Sequence, residues 1–246
     1  MERINFLNCP IDVSTMKETV STIGQRIAKK EFTQHVVVNV AKLVNMRSDV
    51  ALRDSVETCD IINIDGMGVV LGARFLGFNV PERVAGVDLF HELLEMSAEK
   101  DFSVFLLGAT DDVVAKTAEK AKQLYPKLKI SGYHHGYFWD DEAAMVEKIR
   151  ESGAQLLFVA ITSPKKENFI NRWRDQLGVD FVMGVGGTFD VVAGKVKRAP
   201  IWMQNYGLEW LYRVIQEPGR MWKRYLTTNC KFAVLLFKEK LKRLFR

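Results

Sequence analysis

Cysteine is scarce in this chain: Cys9, Cys59 and Cys230 are the three in 246 residues. An odd count at wide spacing excludes a disulfide framework, and no pair has the spacing of zinc ligands. Free thiols in a reducing compartment are the expectation. Long apolar runs are missing too. Residues 156–161 (LLFVAI) form one of the longest, far short of the ~18 residues a membrane-spanning helix needs. Residues 1–15 lack a basic segment followed by an apolar one, so no secretory leader is expected. Metal-binding patterns are absent as well. The adjacent pair His134-His135 cannot share a helix face or one side of a strand, and a turn with one exposed imidazole is expected there. Asp111-Asp112 and Asp140-Asp141 read as helix caps. No required metal or other cofactor is expected.

What is present is charge of one sign at one end. From Arg213 to the C-terminus there are ten basic residues and two acidic ones, within a chain whose total is +5. The remainder is therefore mildly acidic, and the basic tail implies an anionic partner. The tail also interleaves aromatics with arginines. Over residues 231–246 an apolar stripe of Val234, Phe237, Leu241, Leu244 and Phe245 falls on one helical face with lysines on its flanks. A basic amphipathic helix of this kind lies in a membrane interface, and its cations add attraction to anionic lipid. The apolar stripe argues against nucleic acid as the partner despite the pI near 9.0.

The body of the chain alternates short β-branched or apolar runs with helical spacing. Strands are expected at 35–40, 60–64, 102–107, 129–133, 156–161 and 181–185. Helices are expected at 41–54, 67–76, 89–100, from Asp111 to about Tyr125, at 140–152 and from Ser163 to Trp173. Near-continuous apolar strands alternating with helices indicate an α/β fold, a parallel sheet with helices on both faces. Such sheets bind ligands beyond the carboxyl ends of their strands, where this sequence places Asn39, Asp65-Gly66, Gly108-Ala109, Thr162-Ser163 and Gly186-Gly187. The organisation expected is an α/β core over residues 1–195 and a basic amphipathic appendage over 196–246.

Several of these residues have chemistry available to them. Asp65 could act as a general base on a hydroxyl or cap the following helix. Asn39 could hold a hydroxyl or satisfy the turn backbone. Arg83 could bind phosphate or pair with Glu82. The glycines of 184–187 could let backbone amides approach a phosphate at a helix N-terminus or simply make a tight turn, and Asp190 beside them could hold a ribose hydroxyl. Arg213, Arg220 and Arg224 are spaced to share a helix face. Arginine suits bidentate contact with a diphosphate, while a solvated basic face is the plainer alternative.

Taken together, residues 64–76 (IDGMGVVLGARFL), 81–87 (PERVAGV), 104–109 (VFLLGA), 135–138 (HGYF), 163–167 (SPKKE) and the long stretch 184–225 resemble the WecG/TagA/CpsF glycosyltransferase family. The resemblance runs from about Val36 onward. It implies a Rossmann-like domain carrying out inverting, metal-independent transfer from a UDP-sugar donor to a sugar on polyprenyl diphosphate, in surface polysaccharide or teichoic acid synthesis on the cytoplasmic face of the cell membrane. By the same resemblance Asp65 is the base, and Asn39 and Arg83 line its pocket. Gly108, Ala109, Tyr137, Lys166, Gly186, Gly187 and Asp190 lie near the nucleotide. The appendage brings Arg213, Arg220 and Arg224 to the diphosphate. A homo-oligomer off the membrane, made through the apolar segment 189–193 and the tail aromatics, is a further expectation. Two positions depart from the family. Lys166 stands where many members have Gln, and Val37 where they often have Thr; both bear on which sugar is transferred. The competing reading is a non-catalytic nucleotide-sugar-binding protein of the same fold.

Overall fold

The computed structural model describes residues 1–245, without the side chains of Asn205 and Arg220. The chain begins with an antiparallel hairpin of β1 (Glu2–Phe6) and β2 (Cys9–Val13), followed by α1 (Met16–Ala28). Thr15 caps α1 in a reciprocal box: its hydroxyl accepts from Glu18 N, and its own N–H donates to the Glu18 carboxylate at 2.8 Å. Then come β3 (Thr33–Val38), α2 (Val40–Asn45), α3 (Val50–Glu57), β4 (Ile61–Ile64), α4 (Met67–Phe75) and α5 (Gly86–Lys100). The second half of the core holds β5 (Ser103–Gly108), α6 (Asp111–Leu124), β6 (Lys129–His134), α7 (Glu142–Glu151), β7 (Leu156–Ala160), α8 (Lys165–Trp173), β8 (Phe181–Gly184) and α9 (Thr188–Val192). The chain ends with α10 (Ile201–Asn205), α11 (Glu209–Gln216) and the long α12 (Pro218–Leu244).

Six strands form one parallel sheet in the order β4-β3-β8-β7-β5-β6. The chain steps outward from β3 to β4, crosses to β5, steps outward again to β6, and returns through β7 and β8 to fill the gap beside β3. Side chains alternate between the two faces. On β7, Leu156 and Phe158 enter a core with α1, α5, α6 and α9, while Leu157 and Val159 enter another with α7 and α8. A third apolar cluster joins β3 and β4 to the hairpin, α2, α3, α4 and Phe232 of α12. Each fully buried Leu, Val or Phe contributes about 1.5–3 kcal/mol, and burial on both faces is what selects the near-continuous apolar strands. The hairpin does not extend the sheet. Instead Asp12, clamped by Arg3 at 2.7–2.8 Å, accepts the edge N–H of Ile62 at 2.8 Å.

The expected fold class is therefore present, with four local differences. The helix expected over 41–54 is two helices, because Asp49 caps α3 by accepting Leu52 N at 2.9 Å. The hairpin and α1 were not anticipated. The last helix begins at Pro218 rather than at 231, since a proline at the first helical turn lacks only an N–H that had no partner there. Asp111 and Asp112 occupy the first turn of α6, whose N-cap position is Thr110, whereas Asp141 caps α7 through Ala144 N at 3.0 Å.

Candidate active site

The sheet order lines up the polar carboxyl ends of the strands in one row: Asp65 after β4, Asn39 after β3, Gly184–Gly187 after β8, Lys166 after β7, Gly108-Ala109 after β5 and Tyr137 after β6. Neighbouring strands are about 4.8 Å apart, so the row offers an extended ligand a continuous edge. Over the β3–β4 end, α4, α11 and α12 enclose a cavity of about 650 Å³. Asn39, Asp65, Arg83, Arg213 and Arg224 all line it.

Asp65 is held there by main-chain geometry. Its N–H continues the sheet by donating to Val38 O at 2.8 Å. Gly66 then takes the N-cap position of α4 with φ +109°, a conformation that favours glycine. Asp65 consequently does not cap the helix, and its carboxylate makes no hydrogen bond or ion pair with a described residue. Burial raises its pKa above the usual carboxylate range; the charges of Arg213, Arg83 and Lys42 pull it back, while Glu209 pushes it further up. A carboxylate with no internal partner and a raised pKa in a cleft is a candidate functional group.

Asn39 takes the structural role open to it in sequence while still facing the cavity. Its Oδ1 caps α2 by accepting Lys42 N at 3.0 Å, and the residue faces the cavity. Arg83 does not pair with Glu82, which instead accepts Met16 N at 2.5 Å. Arg83 is ion-paired with Glu209 of α11 and reaches Gln204 of α10 at 3.5 Å. Glu209 also meets Arg198 Nε at 3.5 Å, and Arg198 grips Asp88 of α5 with two hydrogen bonds, Nη2 to Oδ2 at 2.8 Å. This Arg83–Glu209–Arg198–Asp88 chain fastens the appendage to the core. Sequence reasoning did not single out Glu209, Arg198 or Asp88, although the first two fall inside the family-like stretch 184–225.

Lys166 lies beneath the cleft, not on its wall. Gly184 makes room for it: a Cβ there would stand 2.8 Å from the lysine's Cδ and Cε. Its ammonium and that of Lys42 both sit 2.8 Å from Glu167 Oε1, and Lys42 also donates to Val37 O at 2.8 Å. Burial lowers the Lys166 pKa to about 8, aided by Lys42 and Arg224 and opposed by Glu167. Burial alone would raise Glu167, but the two ammonium groups outweigh it and hold the carboxyl at about 2.

The remaining expected residues lie along the row beyond the cavity. Gly108 has φ +127°, and a Cβ on it would lie 2.4 Å from Ala160 O, so β5 and β7 close tightly where their following loops part. Gly136 N donates to Ala109 O at 2.9 Å, which sets the exposed Tyr137 beside the Gly108-Ala109 turn. His134 and His135 are both half-buried, with His135 Nδ1 accepting Tyr137 N at 3.1 Å, so neither is the exposed imidazole expected. Gly186 and Gly187 have open space at the Cβ position. Asp190, on α9, stands 3.7 Å from Lys195. Phe189 and Val192 of the same helix are buried in the core, while Val191 and Ala193 are half-buried. Arg213 and Arg224 face the cavity; the Arg220 side chain lies outside the described residues. Among the described residues no group of three or more His, Cys, Asp or Glu side chains is placed to hold a metal ion, and no helix is long and apolar enough to cross a membrane.

A carboxylate without an ion-pair partner among the described residues, set at the carboxyl edge of a parallel α/β sheet and roofed by arginine-bearing helices, fits an enzyme of group transfer. The chain belongs to the WecG/TagA/CpsF family of glycosyl transferases, whose sequence model matches residues 4–246. Two similar proteins are both called N-acetylglucosaminyldiphosphoundecaprenol N-acetyl-beta-D-mannosaminyltransferase. That of Bacillus subtilis (strain 168) is 39% identical over 186 residues, 76% of this chain and 72% of the relative. That of Bacillus spizizenii (strain ATCC 23059 / NRRL B-14472 / W23) is 39% identical over 170 residues, 69% of this chain and 65% of the relative.

Proposed function

We propose that this glycosyltransferase moves a sugar from a UDP-sugar to a sugar carried on polyprenyl diphosphate, at a membrane surface, without a required metal, and with inversion at the transferred carbon. The observation that carries the reading is the cavity that joins Asp65 to Arg83, Arg213 and Arg224. Asp65 takes the proton from the acceptor hydroxyl as that oxygen attacks the anomeric carbon, and the bond to the UDP oxygen breaks on the opposite face. A base with a pKa raised toward the working pH is the better catalyst, provided it is ionised when substrate binds. Negative charge grows on the leaving diphosphate, and preformed cations in a water-poor cleft stabilise it. Arg213 and Arg224 are the groups assigned to this, with Lys42 and Lys166 adding positive potential from below.

The nucleotide lies along the carboxyl edge toward Gly186-Gly187 and Gly108-Ala109, with Tyr137 and Asp190 near it. Asn39 orients a sugar hydroxyl through the amide nitrogen that its capping role leaves unused. The exposed Val234, Phe237, Leu241, Leu244 and Phe245 of α12, flanked by its lysines, are the stripe assigned to anionic lipid, together with the exposed Ile201, Trp202 and Trp222. The relatives' names, which specify a diphosphoundecaprenol-linked acceptor, support the same class of acceptor here.

The test is UDP release from a panel of UDP-sugars with a lipid-diphosphate-sugar acceptor, for wild type and Asp65→Asn, with and without EDTA. Acceptor-dependent release, lost in the variant and indifferent to EDTA, is the expected result. Unchanged turnover in Asp65→Asn would overturn the assignment of the base, and absence of release with every donor would favour a sugar-nucleotide-binding role instead.

A further inference from the structure

The cavity that holds Asp65 does not end at the charged groups. It continues between α4 and α12, where its lining becomes apolar: Leu71 and Phe75 on one side, Phe232, Leu236 and Phe237 on the other. Gly72 sets the floor of this extension. A Cβ there would stand 2.9 Å from the Phe232 ring and 3.1 Å from a Leu236 methyl, so the two helices approach closely beneath it. Above that floor Leu71 (57%), Phe75 (42%) and Phe237 (63%) remain exposed. Phe75 and Phe237 meet edge to face with ring centroids 5.8 Å apart. The outer rim is cationic, with Lys240 Nζ on Phe75 O at 3.1 Å and Arg243 Nη1 on Leu76 O at 3.0 Å.

A single cavity with a cationic, base-bearing end and an apolar end matches a ligand built the same way, a polar anionic head on a hydrocarbon chain. We propose that the α4–α12 groove holds the first isoprene units of the lipid-linked acceptor, so that the chain is gripped by protein before it enters the bilayer. This rests on the functional reading above and extends it. The lipid diphosphate lies at the cationic end of the cavity, the acceptor sugar points at Asp65, and the isoprenoid leaves past Leu71 and Phe75 toward the Lys240–Arg243 rim. That rim then lies at the level of the lipid head groups, which suits its charge. The alternative occupant, acyl chains of the bilayer itself, would need no connection to the charged end.

Binding of farnesyl diphosphate and of inorganic diphosphate to the full chain tests the proposal without turnover. Two of the three exposed wall residues, one from each helix, are changed singly, Leu71→Gln and Phe237→Gln, with circular dichroism to confirm folding. Wild type should bind farnesyl diphosphate at least about tenfold more tightly than diphosphate, given the apolar area a chain of that length buries. Both variants should lose most of that difference and keep the diphosphate affinity. Equal affinity for the two probes in wild type would overturn the proposal. So would variants that keep the chain-dependent gain but bind vesicles of phosphatidylglycerol and phosphatidylcholine less well, since the groove would then be meeting the bilayer. Failure of sugar transfer with every UDP-sugar would sink the functional reading while leaving this binding result to be judged on its own.

Discussion

Glu167→Gln isolates the buried charge cluster under the cleft. The substitution keeps the shape of the side chain and removes the one negative charge that Lys42 and Lys166 share at 2.8 Å. All three side chains are 8% exposed or less, so water does little to replace it. Lys42 keeps Val37 O, but the Lys166 ammonium has no other hydrogen-bond partner among the described residues. Removing one member of a buried ion pair destabilises by about 3–5 kcal/mol. In a chain of this size each kcal/mol moves Tm by about 2–4 °C, so a fall of roughly 6–20 °C is expected. The lower end is favoured, because Lys166 is already lowered to about 8 and can shed its proton when its counter-ion goes.

The pH dependence has two arms of opposite origin. The Glu167 carboxyl is depressed, so its contribution is complete above its unfolded value of 4.5 and is lost as pH falls toward about 2. Lys166 is a depressed base, so between about 8 and 10.5 the unfolded chain holds more protons and stability rises with pH. Lys166→Gln should therefore leave stability at pH 7 unchanged or higher and flatten that alkaline rise. The double variant, which leaves Lys42 alone against Val37 O, should recover a large part of the loss in Glu167→Gln. Urea unfolding followed by circular dichroism at pH 7 and pH 9 reads all of this as a double-mutant cycle. A Glu167→Gln protein within about 1 kcal/mol of wild type, with no coupling to Lys166, would refute the reasoning from burial.

Three further outcomes follow from the site. Asp65→Asn should cut turnover by about 10²–10⁴ with an unchanged fold, and in wild type the acid limb of kcat/KM should lie above the ordinary carboxylate range, since activity needs the ionised form of a group whose pKa is raised; a limb near pH 4 would contradict this. Glu209→Gln should free Arg83 and leave Arg198 held by Asp88 alone, and so speed hydrogen exchange across α10 and α11 while β5 and β7 stay protected; unchanged exchange would show that the Glu209 ion pairs do not fasten the appendage. Gly72→Ala should force α12 away from α4 at a cost of about 1–3 kcal/mol, seen as early proteolysis within 218–244, and a variant as resistant as wild type would mean the helices have slack.

The sheet was legible because strands buried on both faces must be apolar throughout, as in LLFVAI at 156–161. The row of candidate residues at the strand ends followed from the same rule, and Asn39, Asp65, Arg83, Arg213 and Arg224 do meet at one cavity. What the sequence hid was pairing at long range. Arg198 and Asp88 are 110 residues apart and Arg83 and Glu209 are 126 apart, and no local pattern marks one partner for the other. Lys166 was misplaced for a related reason: only the fold sets it against Gly184 and Lys42 and so turns a surface-type residue inward. That Asp65 does not cap α4 hinges on the φ of Gly66, a backbone property that a Gly-x-Gly spelling leaves open. The hairpin escaped notice because its hold on the sheet runs through Asp12 and Arg3, charged residues in a segment that reads as polar.

That hairpin has a consequence for how the protein keeps to itself. A sheet edge is a template on which a foreign strand can grow, and β4 is such an edge, bearing Asp65 at its tip. The Asp12 carboxylate occupies the Ile62 N–H that an invading strand would claim. The opposite edge, β6, is guarded differently, by alternation of exposed and half-buried residues and by Lys129 at its start. Damage to the first fourteen residues would thus do more than loosen a terminus. It would turn the edge that carries Asp65 into the adhesive one, so that the first sign of losing Arg3 or Asp12 would be aggregates with blocked clefts.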